Sequence, residues 1–494
     1  MIFGDIIALI GMAISVLMFV YLGLQDSSKA ISIEQVLLAN RSASSTQFGA
    51  SFAAASTSLA TVIIFFISYS SFFGISLLWC GGTYLVGQVI FLRFMKGVNI
   101  DTSSLTTNAD FVFHHMDLKR TAQIIAIMTA SSFILILFLE LYIGSEIISY
   151  YLTGMGTVGK AISYFSLGAI VIIYVRLGGL KVVFRTDVWQ LSVMIVACIA
   201  LLLFAFLYSP IPSVKSSPTS PPLFATATNS QLLVFMLWIL ILNFTLPFTQ
   251  LSSWQRLAAT KSIDEAWSGL RRSAPSFLVI WMIPVFALVI LNSKGVTPGS
   301  LSDLFDVLRS SGSGYSNILY PLIFVGFASA LFSTADTALV ALQFSLSDSA
   351  TFGNRLRAMD EVQLRRVLTF STFLIIAALS LIYGMAVVDL GSWFIPLVYT
   401  IFSQLSVVAP QVVYSMLEAS GKIQDRKFGK LSDKVNMTFM LLAWSILILA
   451  TIGRVNEILP ASNTQEIATY ISVAVSSLGL FLAYLLAEKT EGGV

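Results

Sequence analysis

Gly49–Ala50–Ser51–Phe52–Ala53–Ala54–Ala55–Ser56–Thr57–Ser58–Leu59–Ala60–Thr61 crowds small and hydroxylated residues into the inner half of an apolar block that runs from Gln47 to Gly74. A block of this kind has the length of a membrane-crossing helix, since about 20 residues at ~1.5 Å each cover roughly 30 Å of hydrocarbon. Small residues within it permit one of two arrangements. Either they form a close-packing face against a neighbouring helix, or the helix unwinds locally and its freed carbonyls coordinate a cation.

A second block, Leu232 to Leu251, carries Asn243–Phe244–Thr245–Leu246–Pro247–Phe248–Thr249–Gln250. Pro247 lacks an amide hydrogen and clashes with the carbonyl of Asn243 four residues earlier, so a kink or break is expected there. Interrupted helices opening two five-helix halves are the sequence pointer to an inverted-repeat transporter.

Read outward from these stretches, the chain resolves into thirteen apolar blocks. They run from Asp5 to Leu24, Gln47 to Gly74, Ile75 to Met95, Thr121 to Tyr150, Ala161 to Val175, Asp187 to Tyr208 and Leu232 to Leu251. The others run from Ser273 to Leu291, Asn317 to Leu346, Val367 to Met385, Gly391 to Leu417, Met437 to Ile452 and Ile467 to Ala487. Of 494 residues 56% are hydrophobic and 11% charged, far from the roughly 25% charge of a soluble domain. Nothing alternates over about ten residues as the strands of a membrane barrel do, which leaves helices as the spanning element. The expected fold class is an all-α polytopic membrane protein of about 13 transmembrane helices. It reads as one domain over 1–494, with a first helix at 5–24, two halves at 47–208 and 232–417, and two last helices at 437–487.

Lys and Arg near spans are retained in the cytoplasm. With the N-terminus outside, 23 of the 28 basic residues fall on that side, Lys29, Arg355 and Arg357 among them. Only Lys160, Lys215, Lys294, Arg309 and Arg454 fall outside. An odd number of spans then puts the C-terminus in the cytoplasm, and the plasma (inner) membrane is the expected location. The first block is followed by Gln25–Asp26–Ser27–Ser28–Lys29 rather than a small-residue cleavage site, so it reads as a retained span.

The net charge of +3 rests on short-loop residues and gives no reason to invoke nucleic acid. Cys80 and Cys198 lie in apolar blocks and read as small hydrophobes. His114 and His115 read as solvated residues of a cytoplasmic loop, and the proline-rich stretch from Pro210 to Asn229 as an extended outer connection. No P-loop, nucleophile–base pair or metal-ligand cluster is visible, so neither an enzyme nor a cofactor is expected.

A carboxylate at the bilayer centre costs about 2.5–3.5 kcal/mol on insertion scales, so polar interruptions of the blocks point to function. Ala330–Leu331–Phe332–Ser333–Thr334–Ala335–Asp336–Thr337 puts Ser333, Asp336 and Thr337 at helical spacing, with Thr334 beside them. These are the oxygen donors that a small hard cation takes. Hydroxyls can bond their own backbone, whereas Asp336 cannot be hidden so cheaply. Glu140, inside the fourth block, pairs either with an amine-bearing solute or with a basic residue. At the start of the sixth, Thr186 or Asp187 either caps the helix or serves the site. Ser58, Thr61, Asn243, Thr249 and Gln250, joined by Gln404 on the eleventh block, offer uncharged donors and acceptors for a solute near the midplane.

Tyr174–Val175–Arg176–Leu177–Gly178–Gly179–Leu180–Lys181, continuing to Thr186–Asp187 and Gln190, resembles the signature of the sodium/solute symporters, relatives of the sodium/glucose, sodium/proline and sodium/sialic acid cotransporters. Ala330 to Asp336 resembles that family's sodium-site helix, and Trp254–Gln255–Arg256–Leu257–Ala258–Ala259–Thr260–Lys261–Ser262 its stretch after the broken sixth core helix. The resemblance implies a leucine-transporter-like 5+5 inverted repeat with one extra N-terminal and two extra C-terminal helices. It implies sodium between the first and eighth core helices, on the carbonyls of Ala54, Thr57 and Ala330 and the hydroxyls of Ser333 and Thr334. Asp187 matches a family acidic residue tied to sodium coupling, and Asp336 matches the Asp of a Ser-Thr-Ala-Asp variant associated with a second cation site. The chain departs from the pattern at Val182, where the signature has a smaller residue, and in lacking a glycine after Gly49 in the proposed break.

The expected function is sodium-coupled uptake of a small organic solute by alternating access, with sodium as cosubstrate and the lipid bilayer as surroundings. Two alternatives stay open: a solute sensor with a transporter fold and no net flux, and a symporter driven by protons through Asp187 or Asp336.

Overall fold

The structure is a computed structural model that describes residues 3–26, 32–98, 107–149, 151, 155–209, 226–310, 314–346, 359, 361–386, 393–423, 426–459 and 463–489. Lys29, Lys215, Arg355, Arg357 and residues 210–225 of the proline-rich stretch lie outside the described residues.

After α1 (Phe3–Asp26) and the short α2 (Ile33–Leu38), the first half contains α3 (Ser45–Ala55), α4 (Ile64–Phe73), α5 (Leu78–Gly97), α6 (Asn108–Met116), α7 (Lys119–Ser149) and α8 (Gly156–Leu207). The second contains α9 (Asn229–Thr249), α10 (Leu251–Ala259), α11 (Ile263–Ser293), α12 (Leu301–Ser310), α13 (Ser316–Ser345), α14 (Glu361–Ala386) and α15 (Phe394–Ala419), followed by α16 (Lys430–Val455) and α17 (Thr464–Leu485). Arg426–Lys427 and Glu488–Lys489 form a short antiparallel pair.

Among the described residues, eleven helices are long and apolar enough to cross a membrane, and the bent pair Ser45–Ala55 and Leu59–Phe73 brings the count to 12. The 52 residues of α8 would measure about 78 Å if straight, more than twice the hydrocarbon thickness. Instead α8 turns at Gly179 (φ 59°, ψ −149°), and its two legs correspond to the fifth and sixth blocks, giving thirteen. The linker between those blocks is therefore helical, with Val182, Val183 and Phe184 buried, and Asp187 sits inside a helix rather than at its cap. Glycine is required at 179 twice over: by its positive φ and because a Cβ would fall 2.5 Å from the Val36 carbonyl oxygen. His114 and His115 lie on the short helix α6, not in a loop.

The two halves open with the same device. Ser44 caps α3 and exchanges hydrogen bonds with Gln47; Thr228 caps α9 and exchanges them with Gln231. Both opening helices then break. α3 stops at Ala55, and the chain resumes at Leu59 after a bend of 50°. Ser58, extended at φ −65° and ψ 135°, caps the next segment by accepting from Thr61 N at 2.7 Å. No left-handed residue is needed, so the absence of glycine there is no obstacle. α9 runs through Pro247 and ends at Thr249; the break falls at Gln250 (φ −69°, ψ 116°), three residues beyond the proline. Pro247 leaves the Asn243 carbonyl without its helical donor, and Gly87 of α5 packs there so closely that a Cβ would lie 2.1 Å from that oxygen.

The entry to α3 is unusual. Ala39, Asn40 and Arg41 all have positive φ (49°, 53° and 50°). They are held by Arg41 Nη1 donating to Ala258 O and Ala43 N donating to Ala259 O, each at 3.0 Å. On the periphery, α1 and α14 present large bare apolar side chains, Leu17 at 69% and Leu381 at 67% exposure, as helices facing lipid do. The chain is an integral membrane protein.

Candidate functional site

α3, the second leg of α8, α10 and α13 converge on a buried polar cluster. α13 contributes Ser333, Thr334, Asp336 and Thr337, all buried, because one stripe of an otherwise apolar helix carries them. The second leg of α8 contributes Asp187, fully buried, whose Oδ1 accepts from Ser333 Oγ at 2.5 Å and whose Oδ2 accepts from Ser51 Oγ of α3. α10 contributes Arg256. Its Nε donates to Ser51 Oγ at 2.8 Å, its Nη2 donates to Thr337 Oγ1 at 2.7 Å, and Nη2 lies 4.0 Å from Asp187 Oδ2. Ser51 thus bridges the ion pair. Asp336 Oδ2 accepts from Tyr174 of the first α8 leg at 2.9 Å.

The cluster is not saturated. Among the described residues, Asp336 Oδ1 and Thr334 Oγ1 are buried without a hydrogen-bond partner, a state that costs about 1–3 kcal/mol per group unless something fills it. Asp187 pairs with the Arg256 guanidinium, and Asp336, next to the Thr337 that Arg256 bonds, adds a second carboxylate within electrostatic range.

Beside the cluster lies a cavity of ≈ 110 Å³ between the two breaks. Ser58, Thr61, Asn243 and Gln250 line it, together with Thr334, Thr337 and Arg256. Tyr84 of α5 joins the breaks: its hydroxyl donates to Gln250 Oε1 at 3.1 Å and lies 3.3 Å from Ser56 Oγ.

No protein-family model matches the chain, and no curated protein does. Solved structures do. A Na+-coupled sialic acid symporter, determined substrate-bound and outward-open, aligns with a TM-score of 0.70 at 16% identity, covering 99% of this chain and 99% of that one. A manganese transporter of Eremococcus coleocola aligns at 0.56 and 13% identity, covering 93% and 97%. MHP1, a nucleobase-cation-symport-1 family transporter, gives the same figures of 0.56, 13%, 93% and 97%. The chain shares the fold of these three transporters.

Within this fold, the residues singled out from sequence separate into groups. Ser333 meets Asp187 directly, and Thr334 opens onto the cavity. Ala54 accepts from Thr57 N at 3.0 Å, while Thr57 Oγ1 bonds Ala53 O and receives Trp281 Nε1. Ala330 is buried on α13. Among the described residues Glu140 has neither a basic partner nor a place in the cavity wall; it accepts from Ser58 Oγ and from Ala60 N at 3.3 Å, at the start of the segment after the first break. A carboxylate there meets the positive end of the helix. Thr249 is turned away: its hydroxyl bonds its own helix and its carbonyl accepts from Asn108 Nδ2 at 2.8 Å. Gln404 is also remote, donating to Ser132 at 2.5 Å and accepting from Trp444 Nε1 at 2.9 Å.

Tyr84, Trp281, Gln88 and Ser51 were not singled out as candidates. Arg256 carried one available signal, its place in the Trp254–Ser262 stretch, although its partners are set only by tertiary packing.

Proposed function

We propose that the chain is a sodium-coupled symporter of a small uncharged organic solute, of the sodium/solute symporter kind. The observation that supports this is the charge and oxygen balance of the buried cluster. Asp187 and Asp336, if both ionised, exceed Arg256 by one negative charge, and an uncompensated buried charge is costly. One monovalent cation restores neutrality, and Asp336 Oδ1 and Thr334 Oγ1 are oxygens still without partners. On this reading sodium lies between the first break and α13, on the carbonyls of Ala54, Thr57 and Ala330 and the hydroxyls of Ser333 and Thr334, with Asp187 and Asp336 coupling its entry to the solute. The solute occupies the neighbouring cavity, at Ser58, Thr61, Asn243 and Gln250.

Sodium is a cosubstrate here. It binds from outside, draws the broken first core helix against α13 and thereby completes the solute site; both are then released to the cytoplasm, where the C-terminus lies. One sodium moving down about 100 mV releases roughly 2.3 kcal/mol, and a tenfold gradient adds about 1.4, enough to hold a neutral solute a few hundredfold above its outer concentration.

The test is uptake into sodium-free liposomes carrying the purified protein, from a labelled pool of organic solutes, with an inward sodium gradient against an equal potassium gradient. Sodium-driven accumulation that Ser333→Ala and Asp187→Asn both impair is the expected result. Accumulation driven by a pH gradient without sodium would transfer the coupling role to a proton on the same carboxylates, and ligand binding with no flux would make the protein a sensor.

A further inference from the structure

The wall of the cavity is dominated by rings. Phe52 and Tyr84 stack at 6.2 Å and 9°, and Tyr84 and Trp281 at 5.2 Å and 17°. Phe65, Phe66 and Phe133 add further aromatic surface. Two of these rings are fixed by polar ends at the breaks: Trp281 Nε1 donates to Thr57 Oγ1 at 3.1 Å, and the Tyr84 hydroxyl is held by Gln250. The stack is therefore a preformed surface rather than loose core.

Charge narrows the occupant. No carboxylate is among the described lining residues, and the guanidinium of Arg256 is already engaged by Ser51, Thr337 and Asp187. An ionic solute would enter with no free counter-charge to meet it. A polyhydroxylated solute would need a partner for each hydroxyl, and part of the polar wall is already committed: Asn243 Nδ2 donates to Cys80 O at 2.9 Å and to Thr83 Oγ1 at 2.7 Å. Among the lining donors without a hydrogen-bond partner in the described residues are Thr334 Oγ1, which the symport reading gives to sodium, and Gln88 Nε2. Gln88 Nε2, one turn along α5 from Tyr84 and beside it, is buried with no hydrogen bond of good geometry among the described residues, and Gln88 lines the cavity at 4% exposure. Size points the same way, since ≈ 110 Å³ is of the order of the ~150 Å³ cavity that admits benzene.

We infer, resting on the symport reading above, that the solute is a small uncharged planar ring compound bearing a carbonyl or ring-nitrogen acceptor. Its face lies on the Tyr84–Trp281 surface and its acceptor takes the hydrogen of Gln88 Nε2.

The full chain in lipid nanodiscs and in liposomes is offered nicotinamide and uracil as uncharged rings, benzoate as a charged ring, glucose as a polyol and proline as a zwitterion. In sodium, nicotinamide or uracil raises the melting temperature and binds at least tenfold more tightly than the other three. Gln88→Leu and Trp281→Leu each weaken ring binding about tenfold; Trp281→Phe, which keeps a ring in the wall, weakens it less than threefold. Failure of both uncharged rings to bind overturns the inference, as does preferential binding of glucose, proline or benzoate. The two readings separate in the uptake arm. Sodium-driven accumulation of glucose or proline with inert rings removes the ring and keeps symport, whereas ring binding and uptake indifferent to sodium keep the ring and remove sodium coupling.

Discussion

The two helix breaks face each other across one cavity and are made in different ways. The first, at Ser56–Ser58, is held by side chains: Ser58 caps the segment that follows it, and Glu140 reaches in from α7 to take Ser58 Oγ and Ala60 N. The second, at Gln250, follows a covalent restraint, Pro247, and the carbonyl that the proline strands is covered by Gly87 of the neighbouring helix. The first break can be rearranged by anything that competes for a hydroxyl or a carboxylate. The second cannot, because a missing N–H does not respond to ligands. An ion that reshapes the site therefore acts on the first break.

The largest effect should come from the cluster that anchors α3. Asp187→Leu takes the acceptor from Ser51 and Ser333 and removes the carboxylate 4.0 Å from Arg256, and is expected to cost about 3–5 kcal/mol, read as a fall in melting temperature in detergent. Asp187→Asn keeps the packing and should cost far less stability while cutting sodium-driven uptake by about two orders of magnitude. At the second break, Gly87→Ala puts a methyl 2.1 Å from the Asn243 oxygen and should cost about 1–3 kcal/mol, with the same loss in sodium as in potassium. Ser58→Ala removes the cap of the first break and should cost about 1–2 kcal/mol, a loss that sodium partly offsets. Pro247→Ala lets residue 247 donate to the Asn243 carbonyl, so its sign is reversed: a gain of about 0.5–1 kcal/mol and uptake slowed severalfold. If sodium shifted the Gly87 variant as much as the Ser58 variant, the two breaks would not differ as described.

The apolar blocks carried most of the fold, because lipid forces a spanning segment to declare itself through length and composition. The break in the second block was legible in its small and hydroxylated residues, though only as one of two arrangements. The break in the seventh was legible to within three residues. Proline removes a donor to the carbonyl four positions back, whereas the chain leaves the helix where Gln250 turns extended. What sequence could not supply was pairing across helices. Glu140 stood out as a carboxylate in an apolar block, yet its partners are a serine and an amide 82 and 80 residues away. Gln404 looked as available for a solute as Asn243 did; only packing against Ser132 and Trp444 takes it out of the cavity. Asp187 read equally well as a cap, because the helical path through Gly179 is set by the approach of Val36, far off in sequence.

The left-handed run Ala39–Asn40–Arg41 stands where the chain enters α3. Each non-glycine residue in that conformation stores roughly 1–2 kcal/mol, and the contacts that hold the run in place go to Ala258 and Ala259 at the end of α10. The protein therefore keeps a loaded spring on the stem of its first broken helix, with α10 as the catch. In an alternating-access cycle of the kind proposed above, parting of those contacts would let the turn unwind and offset some of the work of moving α3. Glycine at position 39 or 40 unloads the spring, and such a variant should dwell longer with the catch engaged.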